Sequence, residues 1–285
     1  MKVYTNLEYA EFYITNHCNL TCNNCNRFNN HKISGSADWE QYRDIYAKWS
    51  NLVAINRIAF LGGEPLLHPK LHLMLSDVRL WWPYSEIEIT TNGLLIPNIK
   101  PDLHQSIIDN KVTMYISIHN ENWVSQIKQS AINSFGELTL VDSFRINPSG
   151  GSDTYISSSG IKVILEYTYH FRPAALQTST NRKYKLHKSN PDTAHNICDM
   201  KHSFHFWKGC LYKCGIMVTL PYVIEQKNLV DIDADQLSLL NAYKPLTYNE
   251  AVNNPTKLNQ LRNSIAQCEF CPNQYAGNHT KIFQN

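Results

Sequence analysis

The sequence contains no run approaching the roughly 18 apolar residues that read as a membrane-crossing helix. Its opening residues, Met1-Lys2-Val3-Tyr4-Thr5-Asn6, lack the apolar core of a signal peptide. Charge of either sign is scarce in excess: 26 Lys and Arg against 24 Asp and Glu leave a net charge of +2. That is too weak a field to argue for a nucleic-acid or membrane partner. The one basic stretch, Arg182-Lys183-Tyr184-Lys185 with Lys188, is short and reads as a solvated loop, with a phosphate-contacting loop as the minority reading. These absences point to a cytoplasmic globular chain. At 285 residues and 43% hydrophobic, it can bury one large core, or one large and one small. Cysteine is missing from the whole middle of the chain, between Cys25 and Cys198. Three cysteines lie before that gap and five after it. In a reducing compartment such cysteines argue for metal or redox sites rather than disulfides. Their placement suggests two clusters in two structural units.

The first group is Cys18-Asn19-Leu20-Thr21-Cys22-Asn23-Asn24-Cys25, just after a strand-like run from Tyr9 to Thr15. Three thiolates in one short polar loop can converge on an inorganic centre. A zinc knuckle is one reading. An iron–sulfur cubane is the other, and three ligands for four irons leave one iron open, as in an open catalytic metal site.

Downstream, strand and helix patterns alternate. A helix over about Asp38 to Asn51, capped by Ser36 or Asp38, carries Trp39, Tyr42, Ile45, Tyr46 and Trp49 on one face, which reads as core. A buried-type strand, Asn56 to Leu61, runs into Gly62-Gly63-Glu64-Pro65, where glycines permit close backbone approach by a ligand and Glu64 can accept hydrogen bonds from an ammonium. A helix from Pro69 to Trp82 buries Leu71, Met74, Leu75 and Val78. A strand from Glu86 to Thr91 closes at Asn92-Gly93. A helix near Asp102 to Asp109 leads to a strand from Val112 to His119, and Asn122 to Ser134 is a further helix. Leu138 to Ile146 reads either as a fifth barrel strand or as half of a hairpin with Thr154 to Ile156. Ile161 to Tyr167 is preferred as the barrel strand, with Arg172 beyond it as a candidate substrate contact. Such alternation implies βαβ units and a parallel sheet, whose ligands gather at the C-terminal ends of the strands.

The cysteine triplet, the G-G-E-P about 40 residues later and the T-N-G ending of the third strand resemble, in that order, the radical S-adenosylmethionine (SAM) superfamily. The resemblance implies that Cys18, Cys22 and Cys25 hold a 4Fe–4S cluster whose open iron is chelated by SAM. It implies cofactor contacts from Gly62, Gly63, Glu64 and Pro65 at the SAM amino group, from Thr91 and Asn92 near its ribose and methionine, and from Ser117 near the ribose. His119 and Arg172 are the catalytic or substrate-side candidates. The residue before the third cysteine is usually aromatic in the family and packs the adenine. Here it is Asn24, which is expected to offer a polar contact instead. The implied fold is α/β: a partial (β/α)6 TIM barrel over residues 1–185, with a small C-terminal α+β domain over 186–285.

That second unit resembles the twitch domain, a shortened SPASM relative that binds an auxiliary 4Fe–4S cluster. A cysteine precedes a hairpin (Phe204 to Trp207 and Leu211 to Lys213, turning at Lys208-Gly209), another closes it, and Cys268-x-x-Cys271 follows a helix containing Leu258, Leu261 and Ile265. Cys210 and Cys214 lie four apart on an extended strand, about 13 Å at ~3.3 Å per residue. Cys198, Cys214, Cys268 and Cys271 are therefore the expected ligands, with Cys210 free or structural. His195, His202 and His205 are given structural or substrate-side roles. The implied activity is reductive SAM cleavage and hydrogen abstraction from a small substrate, with a flavodoxin- or ferredoxin-type electron donor. The chain begins almost at its first strand, with no room for a peptide-recognition domain, which favours a sugar, cyclitol or nucleoside. A peptide-modifying maturase and a non-catalytic zinc or iron–sulfur protein are the rival readings.

Overall fold

The computed structural model describes residues 4–146, 150–171, 176–178, 183–227, 230–274 and 280–281. Strand and helix alternate along its first half: β1 (Thr5–Tyr13), α1 (Trp39–Trp49), β2 (Val53–Leu61), α2 (Leu71–Trp81), β3 (Glu86–Thr91), α3 (Pro101–Asp109), β4 (Thr113–Ile118) and α4 (Val124–Phe135). An antiparallel hairpin, β5 (Leu138–Ile146) and β6 (Gly150–Ser157), then precedes β7 (Lys162–Tyr167). β7 pairs parallel to β4 and is the fifth strand of the parallel set, while β5 and β6 extend the sheet beyond it. The hairpin reading of Leu138 to Ile146 is therefore the one the fold adopts.

The second half is built of short elements: β8 (His170–Phe171), β9 (Leu176–Thr178), β10 (Tyr184–Leu186), α5 (Pro191–Ile197), β11 (Phe204–Trp207), β12 (Cys210–Tyr212), α6 (Gly215–Lys227), β13 (Val230–Asp231), α7 (Ala234–Ala242), α8 (Tyr248–Asn253), α9 (Thr256–Gln260) and β14 (Thr280–Lys281). The helix expected through Leu258, Leu261 and Ile265 is not continuous. α9 ends at Gln260, Ile265 is extended, and Cys268 sits in a 3-10 turn, Ala266–Phe270. The Leu261 carbonyl is turned to the Lys213 side chain rather than continuing a helix.

The main sheet has the order β12-β11-β1-β2-β3-β4-β7-β6-β5, six of its strands mutually parallel, with no pairing between its two ends among the described residues. The sixth parallel strand is β11, hydrogen-bonded beside β1. The sheet thus continues across the boundary expected at 185/186. β4 shows why the layers form. Met114, Ile116 and Ile118 are buried on the helix side, and Thr113, Tyr115 and Ser117 alternate onto the other face. Phe12 sits at the centre of the helix-side core, with the rings of Trp39, Tyr46, Phe60, Trp82 and Phe206 around it. Burying such a ring stabilises by about 1.5–3 kcal/mol. The aromatic face of α1 is core, as its spacing predicts. Trp49 donates to the Gly209 carbonyl and Tyr46 accepts from the Gly209 N–H, so α1 grips the β11–β12 turn. Asp38 is the N-cap residue of α1 without a side-chain cap bond, and Ser36 bonds Thr15 instead. A second core joins Phe28 and Ile33, from the loop after the cysteine triplet, to Met217, Leu220, Val223, Leu240 and Phe270.

Candidate active site and the four-cysteine cavity

The cysteine loop and the G-G-E-P segment are the C-terminal extensions of neighbouring strands. They run on side by side after the sheet ends: Gly63 N–H donates to the Thr15 carbonyl and Glu64 N–H to the His17 carbonyl, each at 2.7 Å. A Cβ on Gly62 would stand 2.2 Å from the Thr15 oxygen, and one on Gly63 2.2 Å from the His17 oxygen. The space these glycines leave is therefore filled by the chain leading to Cys18.

Glu64 is fully buried and accepts from Leu66 N–H, the Thr91 hydroxyl and Asn92 N–H. Burial pushes its carboxyl up to about 7 against those three donors. The Asn92 side chain donates to Asn19 inside the cysteine loop. Cys18 loop, Glu64, Thr91 and Asn92 thus form one hydrogen-bonded network, and Pro65 is buried at the start of the 3-10 turn Pro65–Leu67. Ser117 lies half-buried on the adjacent β4, in register with Glu166. His119 follows it. Its Nδ1 is 3.3 Å from the Thr168 carbonyl, its ring stands edge-on to Phe171, and burial lowers its pKa. Arg172 lies outside the described residues.

The cysteine loop is tightly wound. Asn24, Phe28 and Lys32 all have left-handed backbone, with φ of 56°, 58° and 53°. Asn tolerates that region better than most residues, which gives Asn24 a conformational reason independent of any ligand. The Lys32 ammonium closes the loop on the Cys18 and Leu20 carbonyls. Burial pushes the Cys18 thiol up to about 11, opposed by the Leu20 N–H, and Cys22 up to about 12, with the neighbouring thiols adding to both. Three thiols in one short loop are a donor set suited to a cationic cluster, which displaces their protons on binding. Among the described residues, no three His, Cys, Asp or Glu side chains already stand around one metal point.

Two residues after Cys25, Arg27 turns inward and pairs with Glu11 of β1 at 2.5 Å; His205 of β11 contacts the same carboxylate. Burial pushes Glu11 up, but the Arg27 guanidinium and His205 outweigh it and hold it at about 2. Gly215 makes room for this guanidinium: a Cβ there would meet Arg27 Nη1 at 1.4 Å. Neither Arg27 nor Glu11 is singled out by the sequence argument. The only signal is an acid inside the otherwise apolar run Tyr9 to Ile14.

Asn26 and Arg27 also form one wall of a cavity of about 240 Å³, lined elsewhere by Cys198, Cys214, Cys268 and Cys271. Burial raises all four thiols, Cys214 to about 11; Cys268 adds to the rise of Cys198, Cys214 and Cys271. Cys210 lies elsewhere, in a surface depression with Tyr42 and Tyr248. His195 reaches the cavity wall, His202 is exposed, and His205 is buried against Glu11. Lys213, beside Cys214, is buried; its ammonium contacts the Leu261 carbonyl at 2.5 Å, the Lys201 carbonyl at 3.1 Å and His195 Nε2 at 3.1 Å. No helix among the described residues is long and apolar enough to cross a membrane.

No family model matches the chain. Among curated proteins it is similar to GTP 3′,8-cyclase of Clostridium acetobutylicum, 31% identical over 107 residues that cover 35% of this chain and 32% of the relative. It is also similar to GTP 3′,8-cyclase of Geobacter sulfurreducens, 28% identical over 102 residues, 35% of this chain and 31% of the relative. The chain spans about a third of the length of these relatives. Among solved structures, anSMEcpe with bound AdoMet and Cp18Cys peptide overlaps with a TM-score of 0.36 at 19% identity, over 46% of this chain and 40% of that one. BtrN in complex with AdoMet and 2-DOIA overlaps with a TM-score of 0.30 at 21% identity, over 41% and 46%. Overlaps this low say nothing about the site. The cyclase relatives, together with the cysteine triplet, G-G-E-P and T-N-G at the ends of three neighbouring parallel strands, support a radical SAM superfamily enzyme.

Proposed function

We propose that the chain cleaves SAM reductively at the Cys18, Cys22 and Cys25 loop and abstracts hydrogen from a small substrate of the sugar, cyclitol or nucleoside class. The observation that carries this is the network joining the cysteine loop, Glu64, Thr91 and Asn92 at the C-terminal edge of the sheet. The relatives are named for GTP, which supports the nucleoside class.

Cys18, Cys22 and Cys25 would hold a 4Fe–4S cluster, which when bound would supply the electron for reductive cleavage of SAM. The residues do the rest. The cysteine loop presents three thiolates, held in shape by Lys32. Glu64 carries the charge complement to the SAM ammonium. Its buried carboxyl sits near 7 in the ligand-free chain, and an arriving cation favours its ionised form. Asn92 orients Glu64 through its N–H and the loop through its side chain. Gly62 and Gly63 let loop and carboxylate approach. Ser117 and His119 extend the same edge toward the ribose and substrate, with Asn24 as a polar neighbour of the adenine and Pro65 setting the turn.

Cys198, Cys214, Cys268 and Cys271 are the proposed ligands of an auxiliary 4Fe–4S cluster in a twitch-like unit, supported by their sharing one cavity from which Cys210 is remote. A flavodoxin- or ferredoxin-type donor and a reducing, cytoplasmic setting complete the proposal; eight free cysteines support the latter. Anaerobic reconstitution tests it. About eight irons per chain for two cubanes, 5′-deoxyadenosine formed from SAM and reductant, and deuterium transferred into it from labelled nucleosides or sugars are expected. Bound zinc without SAM cleavage refutes the enzyme reading, and transfer only from a peptide refutes the substrate class.

A further inference from the structure

Lys213 is 2% exposed, and its three polar partners use all three protons of an ammonium: the Leu261 carbonyl, the Lys201 carbonyl and His195 Nε2. These contacts tie together the three segments that deliver the four cavity cysteines. Lys201 and His195 flank Cys198, Lys213 precedes Cys214, and Leu261 begins the stretch running to Cys268 and Cys271. All three partners are neutral. The Phe204 ring stands 5.8 Å from Nζ, and Asp199, beside Cys198, is the carboxylate that shares the cavity lining with Lys213. A buried cation without a counter-anion is costly. Cys198, Cys214 and Cys268 present their thiols in the same cavity, where ligation would give them negative charge. Lys213 and His195 both line the cavity that these thiols enclose.

We propose that Lys213 is the built-in countercharge of the auxiliary cluster, a positioning residue that holds the three ligand segments together and raises the cluster's reduction potential. This rests on the assignment of Cys198, Cys214, Cys268 and Cys271 as ligands. A cluster gains negative charge when reduced, so a fixed cation beside it favours the reduced form.

The experiment uses the full chain carrying Cys18→Ala, Cys22→Ala and Cys25→Ala, so that only the second site can take up iron. Iron and sulfide are counted after anaerobic reconstitution. The midpoint is then read by potentiometric titration followed by electron paramagnetic resonance in this parent, in Lys213→Gln, which keeps N–H donors without charge, and in Lys213→Arg. The parent is expected to hold about four irons, Lys213→Gln to move the midpoint to more negative potential, and Lys213→Arg to stay near the parent. No cluster in the parent overturns the ligand assignment, and the proposal with it. A parent cluster with an unmoved midpoint in Lys213→Gln overturns the countercharge alone. A second reading covers a variant that loads poorly: the rise in melting temperature from metal-free to loaded chain. Loss of the hydrogen bonds weakens both states alike and cancels, so a smaller rise in Lys213→Gln than in the parent supports the proposal. An equal rise marks Lys213 as a structural peg and refutes it.

Discussion

Gly215→Ala sets two effects of opposite sign against each other. Ala in place of Gly inside a helix ordinarily stabilises by about 0.5–1 kcal/mol, and Gly215 is the first residue of α6. At this position the new Cβ falls 1.4 Å from Arg27 Nη1, 2.6 Å from its Cζ and 2.9 Å from His205 Nε2. The guanidinium must leave, and Glu11, 2% exposed, loses its principal partner. Breaking a buried pair from one side costs about 3–5 kcal/mol. The charge pair wins, and the net loss is about 2–4 kcal/mol. Urea unfolding of the metal-free chain, followed by tryptophan fluorescence and extrapolated linearly, measures it. The cause is isolated by repeating the change in an Arg27→Met background. With no guanidinium to displace, Gly215→Ala then costs little, and the two changes couple by most of the loss. An unchanged or increased stability in Gly215→Ala, or the same cost in both backgrounds, refutes the reasoning.

Three further outcomes follow from the site. Glu64, raised from 4.5 to about 7, binds its proton more tightly folded than unfolded, so its contribution is full below about pH 4.5 and lost as pH rises toward 7; about 3 kcal/mol of that decline is absent in Glu64→Gln, and parallel stability–pH curves for the two proteins would contradict it. Gly63→Ala drives a Cβ to 2.2 Å from the His17 carbonyl, so we expect reconstituted chain to lose its first-site iron and SAM cleavage together while keeping second-site iron; unchanged SAM turnover counts against the paired loop. Cys210→Ser is expected to retain the full iron count and Cys214→Ser to lose about half of it, and equal losses in the two would remove the ligand assignment.

Much of the parallel sheet is legible in the sequence because each strand is a short apolar run followed by an amphipathic helix. β3 is found at its full length, Glu86–Thr91, because Ser85 and Asn92-Gly93 bracket it. β1 is read four residues late: Asn6 and Glu8 are exposed and hide its beginning, while Thr15 leaves the strand to bridge Ser36. The placement of β11 is not legible. Phe204–Trp207 is buried throughout, and nothing local says that its partner is a strand almost 200 residues earlier. The cysteines declare themselves by spacing. Arg27, Glu11 and Lys213 do not, since each is an isolated charge whose meaning depends on a neighbour brought in by the fold. The glycines of G-G-E-P are visible, but the backbone that fills their space is not.

The pairing of β11 with β1 has a consequence for the order in which the molecule is completed. Emerging from a ribosome, β1 can zip to β2 within some 60 residues, yet its other edge stays open until residue 204 arrives. Through that interval the nascent sheet offers Ala10, Glu11 and Phe12 as unpaired backbone, with Phe12 lacking the cover of Phe206. Synthesis of the last third of the chain therefore closes a sticky seam as well as bringing in the second set of cysteines. A fragment ending at 185 would keep that seam open for good, and self-association is its expected fate.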